Sequence, residues 1–191
     1  MVLLCLCGWS NSGKDTVASL LQKHGYQQFA FANPLKDNAA WLYGFPREWA
    51  DSQLYKTFYW KYAGEIKTIR QWLLTLALQQ KKRHGPSIYA DIIIQKIKEL
   101  PKGSNVVISD LRYPEEYKRI LEEFPDTLLW KVLRVGQHES PVSDPSENYH
   151  LVWRINALIL NTGDDLEDLE KELLKILPLD RIQEKDELST S

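Results

Sequence analysis

Val2-Leu3-Leu4-Cys5-Leu6-Cys7-Gly8-Trp9-Ser10-Asn11-Ser12-Gly13-Lys14-Asp15-Thr16 is the stretch on which the architecture turns. Its first six residues are an unbroken apolar run stopped by Gly8, which reads as a strand buried on both faces. Gly13 to Lys23 follows with helical spacing, Val17, Leu20 and Leu21 sharing one face, and Gly25 serves as a C-cap. Between strand and helix, Gly8 to Lys14 matches G-x-x-x-x-G-K. Gly8 and Gly13 permit backbone angles that turn successive amides inward around an anion. The helix start adds free N–H donors and the positive end of its dipole, and Lys14 adds a compact charge for outer phosphates. The position that usually carries Ser or Thr for Mg²⁺ holds Asp15, with Thr16 next. Asp15 suits a hard cation, directly or through water, and equally suits the first turn of a helix.

Outward from this stretch, residues 28–32 read as a second strand, and Asn33-Pro34 opens a helix to Tyr43. Residues 44–64 are irregular and rich in aromatics, an insertion expected to pack a small core of its own. Residues 66–80 read as a helix, 81–86 as a basic loop, and 87–100 as an amphipathic helix stopped by Pro101 and Gly103. Strands follow at 106–109, 127–135 and 157–160, with helices from Tyr113-Pro114 to Phe124 and from Asp164 or Asp165 to Leu177. Residues 136–153 read as a long polar loop of the kind that is often functional. The alternation predicts a three-layer α/β/α fold with a five-stranded parallel sheet and a helical insertion over about 44–100. Residues 1–180 form one domain in this reading, and 181–191 a polar tail. In such sheets ligands sit beyond the carboxyl ends of the strands. Residues 8–16, 110–112, 134–147 and 161–163 all fall there.

Composition narrows the function. With 24 Lys+Arg against 26 Asp+Glu the formal net charge is -2, which disfavours a nucleic-acid binder working through phosphate contacts. No run approaches a transmembrane length, and Val2 to Cys7 is too short for a signal peptide. Cys5 and Cys7 read as small buried hydrophobes of a reducing compartment, so a cytoplasmic protein is expected, without nucleic-acid or membrane partners.

A phosphate loop serves hydrolases, switches and kinases alike. Asp110 ends a strand near the phosphates, where it suits Mg²⁺ or its waters, or else caps a helix or turn. Arg112, two residues on, offers a planar fork for a phosphate oxygen. Lys36, Arg70, the Lys81 to His84 stretch and Arg134 are further cations on segments able to surround a phosphate. Together they fit phosphoryl transfer between two anionic substrates.

The order of five segments resembles the phage and viral deoxynucleoside monophosphate kinases, within the P-loop nucleoside monophosphate kinases. These are Ser12-Gly13-Lys14-Asp15-Thr16; Ala32-Asn33-Pro34-Leu35-Lys36-Asp37; Arg70-Gln71 with the leucine-rich helix after it; Ile108-Ser109-Asp110-Leu111-Arg112 with Glu115 or Glu116; and Val132 to Gln137 through Ser146-Glu147 to Asn161-Thr162-Gly163. Two segments depart from the family pattern. Ala77-Leu78-Gln79 replaces a Gly-Thr-acid stretch, and Asp144-Pro145 stands where a His is common. The resemblance implies ATP on Gly8, Asn11, Ser12, Gly13, Lys14, Asp15 and Thr16, with Arg134, Asn161 and Gly163 near the adenine or the transferred group. It implies Mg²⁺ near Asp15 and Asp110, and a deoxynucleoside monophosphate on Lys36, Asp37, Arg70 and Arg112, with Arg83 in a lid. Lys14, Arg70, Asp110 and Arg112 would carry catalysis. A homodimer is compatible with the sequence. Two other readings stand beside this one: a small P-loop kinase acting on a metabolite such as dephospho-coenzyme A, and a nucleotide-binding regulatory protein with degenerate catalysis.

Overall fold

The apolar run of the N-terminus forms β1 (Leu3–Cys7), all five residues buried. Alternation sends Leu3, Cys5 and Cys7 into one core and Leu4 and Leu6 into another, so both faces of β1 are covered. Each fully buried leucine contributes about 2 kcal/mol by leaving water. Both thiols are free and buried, and burial raises their pKa well above the ordinary cysteine value.

The computed structural model describes residues 1–136, 153–163 and 165–177. The chain continues through α1 (Lys14–Lys23), β2 (Tyr26–Phe29), α2 (Ala32–Tyr43), β3 (Tyr59–Tyr62), β4 (Glu65–Thr68), α3 (Ile69–His84) and α4 (Ile88–Lys98). It closes with β5 (Asn105–Ile108), α5 (Pro114–Glu123), β6 (Leu128–Arg134), β7 (Ala157–Asn161) and α6 (Leu166–Ile176). Five strands form one sheet in the order β2-β5-β1-β6-β7, every pair parallel. The first core packs α4 and α5 on one face through Ile93, Ile94, Ile97 and Ile120. The second packs α1 and α6 on the other through Val17, Leu20, Leu21, Leu169 and Leu173. This is the expected three-layer α/β/α fold. The order reverses at β1, so the crevice beyond its carboxyl end is where a ligand belongs.

A third core lies among α2, α3 and the segment between them. Tyr43, Phe45, Ala50 and Trp72 are buried there, with Trp49 and Trp60 packed against them. The Trp49 ring meets Tyr55, Phe58 and Trp60 at centroid distances of 5.6, 6.0 and 5.8 Å. The aromatic segment thus packs upon itself and upon the two helices.

Several boundaries differ from expectation. The second strand is Tyr26–Phe29 rather than 28–32, because Phe31 and Ala32 give their amides to Asp110 and start α2. Residues 59–68 form an antiparallel hairpin instead of irregular chain. Residues 81–84 are the last turn of α3, not a loop; cations there face the negative end of the helix dipole. The long polar loop expected over 136–153, including Ser146 and Glu147, lies almost wholly outside the described residues, as do Gln137, Asp164 and the 181–191 tail. Among the described residues no helix is long and apolar enough to cross a membrane.

Candidate active site

The turn from β1 into α1 is a backbone cradle. Gly8, Asn11 and Gly13 have φ of 137°, 61° and 102°, and Asn is the side chain best suited to that left-handed region after glycine. Neighbours enforce the two glycines. A Cβ on Gly8 would lie 2.3 Å from the Val132 carbonyl oxygen, and one on Gly13 2.3 Å from Asn161 Nδ2. Lys14 is buried and donates Nζ to the carbonyls of Gly8 at 2.8 Å and Trp9 at 2.7 Å, so its ammonium lies over the loop. The Ser12 hydroxyl is buried without a hydrogen-bond partner among the described residues. A buried hydroxyl left unpaired in a glycine turn that also holds the Lys14 ammonium fits an anion site.

The carboxyl ends of β6 and β7 complete this side. Arg134 and Asn161 are partners in the parallel register. Asn161 is buried; its Nδ2 donates to the Ser12 carbonyl at 3.0 Å, and its Oδ1 accepts from the Gly163 amide at 3.0 Å. The Arg134 guanidinium lies over Gly163, where a Cβ would come within 3.1 Å of Nη2. Gly8, Asn11, Ser12, Gly13, Lys14, Arg134, Asn161 and Gly163 therefore lie in one neighbourhood. Asn161 props the loop from below, a positioning role the sequence signals only through its place at a strand end. Asp15 and Thr16 are exposed on the first turn of α1.

A second cluster of charge gathers at the end of β5. Asp110 accepts from the amides of Phe31 at 2.7 Å and Ala32 at 2.9 Å, one on each carboxylate oxygen. It thereby caps α2, the structural alternative weighed for it, with one backbone amide on each oxygen. Burial raises its pKa, while the two amides, Arg112 and Lys36 pull it back. Arg112 and Lys36 are therefore close neighbours of Asp110. Lys36 Nζ is 2.9 Å from Asp51 Oδ1, and Arg47 Nη1 is 2.7 Å from Asp51 Oδ2. Asp37, the acidic residue expected on the substrate, pairs with Arg47.

Arg70 is set by the start of α3. Thr68 accepts from the Gln71 amide at 3.2 Å, and Gln71 Oε1 accepts from the Thr68 amide at 2.8 Å, a reciprocal cap. Arg70 then donates to Gln53 Oε1 at 3.0 Å. Lys56 feels Lys36, Arg70 and Arg112 together, so these four cations share one region. Lys36, Arg70 and Arg112 were expected to converge; Lys56 was not singled out. Arg83 is exposed on the last helical turn of α3, and among the described residues no hydrogen bond or ion pair ties it to this cluster.

Glu116 underpins the segment carrying Arg112. It is 4% exposed, and its Oε2 accepts from the Tyr113 amide at 3.2 Å. Burial, then the field of Asp110, pushes its carboxyl up to about 7, with Lys81 opposing from above the Tyr113 ring. A folded pKa above the unfolded one stabilises fully below the unfolded value, and that contribution is lost as pH rises through about 7. Glu116→Gln is expected to remove this dependence. Its stability relative to wild type should rise by about 2 kcal/mol between pH 5 and pH 8, read from urea midpoints. Parallel curves for the two proteins would contradict the assignment.

Among the described residues no three His, Cys, Asp or Glu side chains cluster as a ready cation cage. Asp15 is exposed on the first turn of α1, and a carboxylate is the kind of hard oxygen donor that Mg²⁺ takes.

The site therefore has the parts of a phosphate-binding α/β protein: a glycine cradle at the switch strand and a cation cluster beside it. No family model matches the chain, and no curated protein matches it. Among solved structures it is similar to TT1252 from Thermus thermophilus, at 19% identity and a TM-score of 0.49, covering 92% of this chain and 96% of that one. It is also similar to a dephospho-CoA kinase from Campylobacter jejuni, at 14% identity and a TM-score of 0.48, covering 91% and 94%. Likeness at this level carries no assignment to this chain, whose own topology and site geometry bear the functional reading.

Proposed function

We propose that the chain is an ATP-dependent kinase that phosphorylates a (deoxy)nucleoside 5'-monophosphate to the diphosphate. The carrying observation is the pairing of two phosphate-type environments at one sheet edge. One is the cradle of Gly8, Ser12, Gly13 and Lys14, with its unpaired buried hydroxyl. The other is the cluster of Lys36, Arg70 and Arg112. A hydrolase needs only the first and a residue to align water; a transferase between two anions needs both.

In this reading the loop amides and Lys14 hold the β- and γ-phosphates. Lys36, Arg70 and Arg112 hold the acceptor phosphate in line. One acceptor oxygen forms the new bond to the γ-phosphorus, the β–γ bridging bond breaks, and ADP leaves with that electron pair. The acceptor is already anionic near neutral pH, so no general base is required. Mg²⁺, shared between Asp15 and the nucleotide, would neutralise charge on the phosphates, and Asp110 would act on it at most through water. The cations of the cluster withdraw charge from the oxygens as it spreads in the transition state.

The test is ADP release with ATP over all common nucleoside and deoxynucleoside monophosphates, with dephospho-coenzyme A and other small metabolites in the same panel. One or more monophosphates should raise the rate at least tenfold over ATP alone. An equal rate with every acceptor refutes the reading, and stimulation by a different metabolite alone redirects it. Tight ATP binding without turnover for any acceptor favours a regulatory protein.

A further inference from the structure

The segment between α2 and α3 supplies partners to two of the clustered cations. Asp51 holds Lys36, and Gln53 holds Arg70. Three residues beyond Gln53, Lys56 lies in a short 3-10 turn, Tyr55–Thr57, fixed by its own amide bonding the Ser52 carbonyl at 3.1 Å. The turn is pinned by rings. Tyr55 packs on Trp49 at 5.6 Å and on Phe58 at 5.2 Å, and the Phe58 carbonyl accepts from the Ile69 amide at the start of α3 at 3.0 Å. Lys56 is half-buried, and among the described residues its ammonium has no hydrogen bond or ion pair of its own. The carboxylate it feels, Asp51, is already shared by Lys36 and Arg47.

A half-buried lysine near three other cations, its one nearby carboxylate already shared by Lys36 and Arg47, is stabilised when a further anion joins it. We infer that Lys56 is a fourth binding group for the acceptor, contributed by the aromatic segment and directed at the phosphate dianion of the monophosphate. The inference rests on the proposed reaction for its ligand, and on the pinned turn and the Lys36, Arg70 and Arg112 neighbourhood for its geometry. The same segment then does two things: it holds Lys36 by an ion pair to Asp51 and Arg70 by a hydrogen bond to the Gln53 side-chain amide, and it brings a cation of its own. Burial first, then Lys36, Arg70 and Arg112, lowers the Lys56 pKa, with Asp51 opposing. A bound dianion reverses that balance.

The full chain tests this with inorganic phosphate as probe. The side-chain carbon resonances of Lys56, identified by their loss in Lys56→Arg, are followed against pH with and without phosphate. Phosphate should raise the Lys56 titration midpoint. Lys56→Gln should weaken phosphate binding by roughly tenfold, while Lys56→Arg retains it. With the best acceptor of the panel, Lys56→Gln should raise acceptor KM by roughly tenfold, leaving KM for ATP and kcat within about twofold. Arg70→Ala, whose effect should likewise fall on acceptor KM, serves as comparison. An unmoved Lys56 midpoint together with wild-type phosphate affinity in Lys56→Gln would overturn the inference while leaving the reaction intact. If no acceptor is phosphorylated but phosphate still moves Lys56, the reaction fails and the anion site stands. Equal losses in Lys56→Gln and Lys56→Arg would assign Lys56 to packing and overturn the inference.

Discussion

Lys14→Ala is expected to lower turnover by at least about a hundredfold, with the thermal midpoint within a few degrees of wild type. The side chain lies across the loop, its Nζ bonded to Gly8 and Trp9 carbonyls, so its charge is already held where outer phosphates would arrive. Little reorganisation is then needed when charge develops during transfer. Removing the ammonium strips the loop of its compact cation, but the leucine-lined faces of α1 and β1 that stabilise the fold are untouched. Loss should appear in kcat and in kcat/KM alike, because the interaction strengthens toward the transition state. Turnover within threefold of wild type would remove Lys14 from the donor site.

The largest stability effect is expected at Gly8. Gly8→Ala places a methyl group 2.3 Å from the Val132 backbone oxygen at a φ of 137°. Strand β6 is parallel to β1 in register, so Val132 cannot retreat without parting the sheet. The left-handed backbone alone costs about 1–2 kcal/mol for a side chain, and the clash adds to it. A loss of about 3 kcal/mol or more is expected, read as a fall in the urea midpoint. Gly103→Ala makes the control: its φ is also positive at 87°, but nothing lies within 4 Å of the added carbon. Equal losses at the two positions would show backbone strain rather than contact with β6 to be the cause.

The sheet and its switch strand were readable because β1 is a short uninterrupted apolar run stopped by Gly8, the pattern of a doubly covered strand. The cradle was readable because its glycines sit at fixed spacing between strand and helix. Other parts depended on distant chain. The end of β2 is set by Asp110, about eighty positions away, whose carboxylate takes the Phe31 and Ala32 amides. The hairpin of β3 and β4 turns through Ala63 and Gly64, both at positive φ, and Ala at the first position lacks the Asn or Asp that announces such a turn. The last turn of α3 was hidden because four consecutive basic residues resemble a solvated loop, although cations are common where helices end. Lys56 carried no local pattern at all; only the folded chain sets it beside Lys36, Arg70 and Arg112. Near-neutral net charge concealed that concentration of positive charge.

The prop beneath the phosphate loop has a consequence for the order in which the protein is made. Asn161 reaches Ser12 across 149 positions of chain. A growing polypeptide releases Gly8 to Lys14 long before Asn161, and the amide that steadies that loop arrives only after the edge strand β7 has joined β6. The loop motif therefore emerges before its prop and matures after it. Nucleotide affinity should report completion of the sheet rather than synthesis of the motif, and contacts of such long range slow the final assembly step. A chain interrupted before Asn161 would display the sequence signature of the loop without the strut that gives it its shape.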